Sequence, residues 1–557
     1  MVMGETMHDW GGGMMKEGKV YGYAKVGEMP TYPGPTILVR EDIPINITWH
    51  NNLSSPHILS AYVADYLLTG PASCYPSCGV PAIVHVHGME TAVSNDGSPL
   101  NTFGKGEMRN DYYPNSQLGA TLFYHDHGYG ITRLNVWAGL AGAYVIEGNN
   151  EEALNVSTNC DIPLLLQDKL ISMNGSLLYS TTSMCMAKDM LPWVMEAYGN
   201  VNLVNGKVAP YVNIPQQQCR FRFINGANAR MYMLDIPFYD KCQIIGTDSG
   251  LVKTPKRMMS SMDVTMYPAE RIELMCDFTN VPNNTMYNLT NSNPMSSGMS
   301  EIMQFRVNMP SKRAPTTMPT ILNNITNLQE MWASTPNAVE KNISMGQFND
   351  ANGCATQLIL MENGIYLNSS AGATIQSVKG TVEKWNFMNP TMDVHPFHLH
   401  VVHMQCGNDN SNIDTNSLKD DVPIPISNMS DPSSITQICY VAIMPSKALL
   451  WNTIIQPDDF GFSTVDKYVA HCHILEHEDN DMMAFYQLVD AVTPPQVTPT
   501  TVSTSGKRFN ANYLLLLLLL IPVLGLVAAI VKVRGYFTTG KGASLASKSQ
   551  EMTDRKP

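Results

Sequence analysis

Four His-x-His pairs constrain this chain more than any other feature: His85/His87 in HVHG, His125/His127 in YHDHG, His398/His400 in HPFHLH and His471/His473 in HCHILEH. Fourteen histidines in 557 residues would give, by chance, on the order of a third of one such pair. On a β-strand, residues i and i+2 face the same way, so each pair presents two imidazoles to one side. Imidazole is a good ligand for copper and zinc. Eight rings converging from four strands enclose several metal ions, far more ligand than one ion needs. The chain must therefore fold so that four distant strands meet.

The segment His471-Cys472-His473 adds a second constraint. The same alternation sends the two imidazoles to one face and the thiol to the other, so one short strand touches two metal sites through adjacent residues. His477 lies five residues on, Met482 ten residues on, and His395 opens the HPFHLH motif. A Cys and two His in a trigonal set with a weak axial Met are the ligands of a blue copper centre, which transfers single electrons. Taken alone, HCHxxxHxxxxM also fits a one-copper electron carrier or a structural zinc site. The four pairs together point to a multi-electron reaction beside a one-electron site.

Short runs such as PTILVREDIPINITWHNN, GLAGAYVIEG, CRFRFINGANAR, ERIELMCDFTN and AFYQLVDAV, spaced by Gly, Pro, Asn and Asp, read as strands of sandwiches or barrels. Long amphipathic helices are not apparent before the C-terminal region. The length suits three domains of moderate size. Their expected bounds are 1–150, 151–312 and 313–492, followed by a Pro/Thr-rich stalk over 493–512.

Compartment follows from three features. Ten cysteines (Cys74, Cys78, Cys160, Cys185, Cys219, Cys242, Cys276, Cys354, Cys406, Cys439) allow up to five disulfides and leave Cys472 as a reserved thiol, which implies an oxidising environment. Ten Asn-x-Ser/Thr sites, at Asn46, Asn52, Asn155, Asn174, Asn283, Asn288, Asn324, Asn342, Asn368 and Asn428, point the same way. The uncharged run Tyr513–Val531 is long enough to span a bilayer as a helix, and Lys532, Arg534 and a short basic tail over 532–557 follow it. Positive residues stay cytoplasmic, so the expected topology is a single-pass membrane protein with an extracellular or lumenal catalytic part. The opening MVMGETMHDWGGGMMKEGK lacks the apolar segment of a secretory signal, which such a topology needs; the expectation is that the start is truncated or mis-assigned. A net charge of −13 argues against a nucleic-acid partner.

HVHG, YHDHG, HPFHLH and HCHILEHEDNDM, in this order, resemble the four copper-binding motifs of the multicopper oxidases. The wider strings YHDHGYGITRLNVWAGLAGAYVIEG, FRFINGANAR, IGTDSG, PAER and HCHILEHEDNDMM are similar to the spore-coat laccase and bilirubin oxidase branch. The resemblance runs from about Val20 to about Val492 and is strongest at the motifs. It implies an all-β fold of three cupredoxin-like Greek-key sandwiches, with a trinuclear cluster between the first and third, and four copper ions. It further implies a type 1 copper on His395, Cys472, His477 and axial Met482, and a type 2 copper on His85 and His398. The coupled type 3 pair would take His87, His125, His127, His400, His471 and His473. Asp96, in SNDG, and Glu478 match carboxylates that relay protons to reduced dioxygen. The C-terminal anchor and the cysteine richness depart from the branch.

The expected activity is laccase-like: four one-electron oxidations of a phenol, aromatic amine or pigment coupled to reduction of dioxygen to water. A second reading is a membrane-anchored ferroxidase or cuprous oxidase working with a metal-transporter partner. The third is a non-enzymatic copper-binding cell-surface protein. Methionine groups at Met258, Met259, Met262, Met266 and at Met295, Met299, Met303 fit either core filling or handling of cuprous ion, since thioethers bind Cu(I).

Overall fold

The structure is a computed structural model. It describes residues 1–490 apart from 12, 14–15, 181–191, 295–298, 312, 350–354, 368–373, 429 and 451–466. The expected stalk, membrane helix and basic tail lie outside the described residues, as do Cys185, Cys354, Asn368 and Met295. Among the described residues, no helix is long and apolar enough to cross a membrane.

Among the described residues, strands dominate, and the α-helices are short: Thr132–Ala138, Leu328–Ala333 and Leu475–Asp479. Six sheets fall in three successive stretches of chain, two to a stretch. In the first, Val2–His8 and Ile45–Asn51 belong to one sheet, and Val84–His87, Ala120–Asp126 and Ala141–Glu147 to the other. Trp49, Met3 and Tyr23 from the former pack into one core with Val84, Tyr124 and Ile146 from the latter. Leu164, Phe221 and Leu274 meet Leu234, Leu289 and Phe305 in the second stretch. Ile343, Trp385 and Val441 meet Phe397, Ala470 and Tyr486 in the third. Each stretch is thus a sandwich whose alternate residues point into a shared apolar layer.

All six sheets repeat one topological detail. Each holds a parallel pair in an otherwise antiparallel array, beginning with Val2–His8 beside Ile45–Asn51 and Gly34–Arg40 beside Ala141–Glu147. The second stretch pairs Asp161–Ile171 with Gln218–Asn225 and Tyr211–Pro215 with Glu301–Met309. The third pairs Glu340–Asn349 with Val382–Met388 and Thr374–Val378 with Met483–Val489. A parallel neighbour needs a connection that leaves the sheet and returns. The repetition was invisible in sequence because the three stretches share no legible motif.

Four disulfides join described cysteines: Cys74–Cys78, Cys160–Cys219, Cys242–Cys276 and Cys406–Cys439. Cys472 is free and buried. The methionine groups divide. Met258, Met266 and Met303 fill the core of the second sandwich, while Met259 is 78% exposed in the turn that follows. Met299 lies against Arg230, its Sδ 3.7 Å from Nη2.

Candidate metal centre

Strand register brings the histidines together. Val84–His87 runs antiparallel to Ala120–Asp126 with His85 opposite His125. In the third sandwich, His395–Leu399 runs antiparallel to Lys467–Cys472 with His398 opposite His471 and Phe397 opposite Cys472. His127, His400 and His473 each sit just past the end of their strand, so only His85/His87 lies wholly on one. The eight rings nevertheless form one cluster. His87 stacks on His398 at 3.6 Å between centroids, and His85 on His400 at 4.0 Å. His125 lies 5.2 Å from His473, and His127 lies 5.0 Å from His471. None is more than 3% exposed.

Outer hydrogen bonds set the proton of six of the rings. The Nδ1–H groups of His85, His125, His398 and His471 donate to the carbonyls of Asp96, Asp126, Asp420 and Cys472 at 2.6, 2.7, 2.8 and 3.1 Å. His400 donates from Nδ1 to the Asp96 carboxylate at 2.8 Å. A carbonyl can only accept, so the proton is on Nδ1 and the Nε2 lone pair faces inward. His87 is reversed: its Nε2 donates to Asp420 Oδ1 at 3.1 Å and its Nδ1 faces the pocket.

The inward nitrogens have nothing to bond to. His85 Nε2, His87 Nδ1, His125 Nε2 and His398 Nε2 are buried without a partner. The Nε2 atoms of His400 and His471 lie only 3.3 Å apart. With both protons on Nδ1, two lone pairs face each other, which is tolerable only with a cation between or beside them. His127, His400 and His471 bring ligand atoms within 4.8 Å of one another, as do His85, His87 and His125, and His85, His398 and His400. The donor set fits resident metal ions.

A second site lies on the other face of the same strand. Cys472 Sγ is 3.5 Å from His395 Nδ1 and 3.6 Å from His477 Nδ1, and those two nitrogens are 3.2 Å apart. A triangle of these edges has its centre about 2.0 Å from each corner, close to metal–nitrogen bond lengths. The Cys472 N–H donates to the Met482 carbonyl, and the Met482 N–H to the His477 carbonyl, both at 3.0 Å, which pins the buried Met482 beside the triad. Thr391 Oγ1 lies 2.7 Å from His395 Nε2 and orients that ring.

Two carboxylates expected from sequence touch the cluster from outside. Asp96 contacts His400 and lies 3.4 Å from His85 Nδ1. Glu478, on the helix Leu475–Asp479, lies 3.3 Å from His127 Nδ1 and 3.1 Å from His471 Nδ1. Burial pushes the Asp96 carboxyl up, with His85 opposing. Burial acts on Glu478 in the same sense, but His127 and His471 hold its carboxyl below the usual range. Sequence reasoning missed the Asp420-Asp421 pair. Asp420 engages His87 and His398, and Asp421 places an oxygen within 4.8 Å of ligand atoms of the same two rings. The signal available was the doubled acid in KDD, which has no motif of its own.

Beside His395 lies a cavity of about 270 Å³, bounded by Asp393, Pro396 and Ile474 from the third sandwich and by Glu196, Tyr198 and Met231. Burial and the nearby Asp393 push the Glu196 carboxyl up to about 7.

Burial also holds the His395 ring down at about 3 and the His477 ring well below its usual value, and raises the Cys472 thiol. At pH 7 both imidazoles are therefore already neutral, and the thiol alone must lose a proton to bind metal at this site. Calorimetric copper loading of metal-free protein in buffers of different ionisation enthalpy should release about one proton more from the wild type than from Cys472→Ser. Equal release would contradict this protonation scheme.

Two family models described as multicopper oxidase match residues 78–151 and 334–490. The laccase of Bacillus subtilis (strain 168) is 32% identical over 487 residues, covering 82% of this chain and 89% of that laccase. Multicopper oxidase LPR1 of Arabidopsis thaliana is 28% identical over 506 residues, covering 83% and 84%. Among solved structures, the McoA multicopper oxidase of Aquifex aeolicus shares the fold, with a TM-score of 0.65 at 24% identity over 87% of this chain and 95% of that one. Taken with the buried histidine clusters, these likenesses mean that the chain belongs to the multicopper oxidase family.

Proposed function

We propose that this copper-dependent, dioxygen-reducing oxidoreductase works as a laccase-like enzyme with its tasks divided between the two faces of one strand. His395, Cys472, His477 and Met482 are assigned to hold the type 1 copper. His85 and His398 are assigned to type 2, and His87, His125, His127, His400, His471 and His473 to the type 3 pair. When bound, the four coppers supply one-electron oxidation at the first site and four-electron reduction of dioxygen to two waters at the second. The carrying observation is the Cys472 triad, which shares its strand with His471 and, one residue past the strand end, His473. Cys472 is bonded directly to both, so the sites are joined by covalent bonds.

Water formation consumes four protons per dioxygen, and Asp96 and Glu478 are proposed to hold and pass them. Their shifts run in opposite directions: burial raises the Asp96 carboxyl, whereas His127 and His471 lower that of Glu478. Cys472→Ser should abolish the blue absorption and all oxidase activity; activity toward phenols surviving in a copper-loaded variant would refute the assignment.

The cavity beside His395 is proposed as the electron-donor site. Tyr198 and Ile474 suit an aromatic ring, which favours phenols, aromatic amines and pigments. Glu196, Asp393 and the thioethers of Met231 and Met392 in the same cavity favour the second reading, a ferrous or cuprous ion as donor. As pH rises through about 7, Glu196 ionises and the cavity gains negative charge. Between pH 6 and 8 the KM for a cationic donor should fall about two- to fivefold relative to a neutral phenol, and Glu196→Gln should remove that dependence. A KM ratio that ignores both pH and the substitution would sink the role of Glu196.

An extracellular or lumenal catalytic part on a single membrane span, with a metal transporter as partner in the second reading, is likewise proposed. Four disulfides support an oxidising compartment. All nine described Asn-x-Ser/Thr asparagines are exposed, whereas Asn51, Asn135, Asn225, Asn228 and Asn389, outside such sites, are buried. The full chain from its native host should resist alkaline extraction from membranes and lose mass on N-glycosidase treatment. Release by alkali with unchanged mass would count against this topology.

A further inference from the structure

We infer that Arg271, which belongs to the middle sandwich and is no metal ligand itself, is a positioning residue for the dioxygen pocket, acting through Asp420 on His87 and His398. The inference rests on the assignment of those two histidines as copper ligands. Arg271 ends the PAER string and is fully buried. Its Nη1 donates to Asp420 Oδ1 at 2.7 Å, and its Nη2 to Asp420 Oδ2 in a bidentate pair. The remaining hydrogen bonds go to main-chain carbonyls: Nε to Thr121 at 3.0 Å, Nη1 to Ala269 at 3.1 Å and Nη2 to Asp248 at 2.9 Å. The Asp248 side chain, in IGTDSG, accepts the Arg271 N–H at 2.7 Å. A guanidinium held at this many points cannot swing, so the carboxylate it grips is fixed as well.

Among the described residues, Asp420 is the only group given a hydrogen bond by His87 Nε2, at 3.1 Å, and its main-chain carbonyl accepts from His398 Nδ1 at 2.8 Å. One residue therefore sets the tautomer of both rings, and its carboxylate is the reason His87 turns Nδ1 toward the pocket. The glycine of HVHG belongs to the same device. Gly88 has φ +84°, and a Cβ there would lie 2.6 Å from both Arg271 Nη2 and Asp420 Oδ2. The main chain after His87 is packed directly on the ion pair, with no room for a side chain. Three sandwiches thus meet at one carboxylate: Thr121 and His87 from the first, Arg271 and Asp248 from the second, Asp420 and His398 from the third.

An ion pair that merely glued the sandwiches together would affect both metal sites or neither. A positioning pair affects one. Arg271→Lys keeps the charge and loses the fork; Asp420→Asn keeps the shape and loses the charge. In the copper-loaded full chain, each should shift the type 2 hyperfine splitting in the electron paramagnetic resonance spectrum. Each should also lower oxygen consumption about ten- to a hundredfold, and leave unchanged the blue band and the rate at which a phenol bleaches it without oxygen. A wild-type type 2 signal and wild-type turnover in both variants would overturn the inference, as would parallel loss of the blue band and the type 2 signal in both. Failure of the underlying copper assignment shows separately, as a wild-type chain carrying well below four coppers.

Discussion

Eight imidazoles sealed from water, with their lone pairs turned toward one another, are the constraint on which the rest of this molecule depends. Burial and mutual repulsion hold most of these rings well below their usual pKa, so they stay neutral, and neutral rings this close repel unless cations lie among them. The His400 and His471 nitrogens at 3.3 Å make the point most sharply. Without metal such a pocket is a concentration of unsatisfied buried acceptors; with metal those acceptors become the ligands.

The surrounding structure is built to hold that arrangement. Nearly every ring is oriented from behind by a carbonyl or a carboxylate, and those groups come from different strands or different sandwiches: Asp96 for His85 and His400, Glu478 for His127 and His471, Asp420 for His87 and His398. A second buried pair works at a distance. His403 lies 2.7 Å from both Glu90 and Ser249, tying the first, second and third stretches together again. The middle sandwich, which supplies none of the eight imidazoles, contributes through such contacts. Glu273, between Arg220, Arg222 and Thr121, extends the same seam between the first two sandwiches.

Where electrons enter is a gentler problem. The Cys472 triad lies within about a residue of a cavity lined by aromatic, thioether and carboxylate side chains, so shape favours a ring and charge favours a cation. Met299, from the second of the methionine groups, reaches Arg230 at that cavity's wall. Met258, Met266 and Met303 of those groups pack in the core, whereas Met259 and Met262 are exposed.

Local rules carried much of this in sequence alone. Period-two alternation dictated that His471 and His473 face one way and Cys472 the other, and ligand chemistry then assigned His395, His477 and Met482 to the thiol. The strand-rich pattern settled the all-β class, and an unpaired cysteine among potential disulfides marked Cys472. What local rules cannot supply is contact between segments hundreds of residues apart. That Arg271 grips Asp420, that Asp420 turns His87 around, and that Glu196 stands near Asp393 follow only from how three sandwiches pack, because no periodicity links such residues. The clustered histidines were legible because their i, i+2 spacing stands out in the sequence; the groups that orient them were not, because tertiary packing alone makes them neighbours.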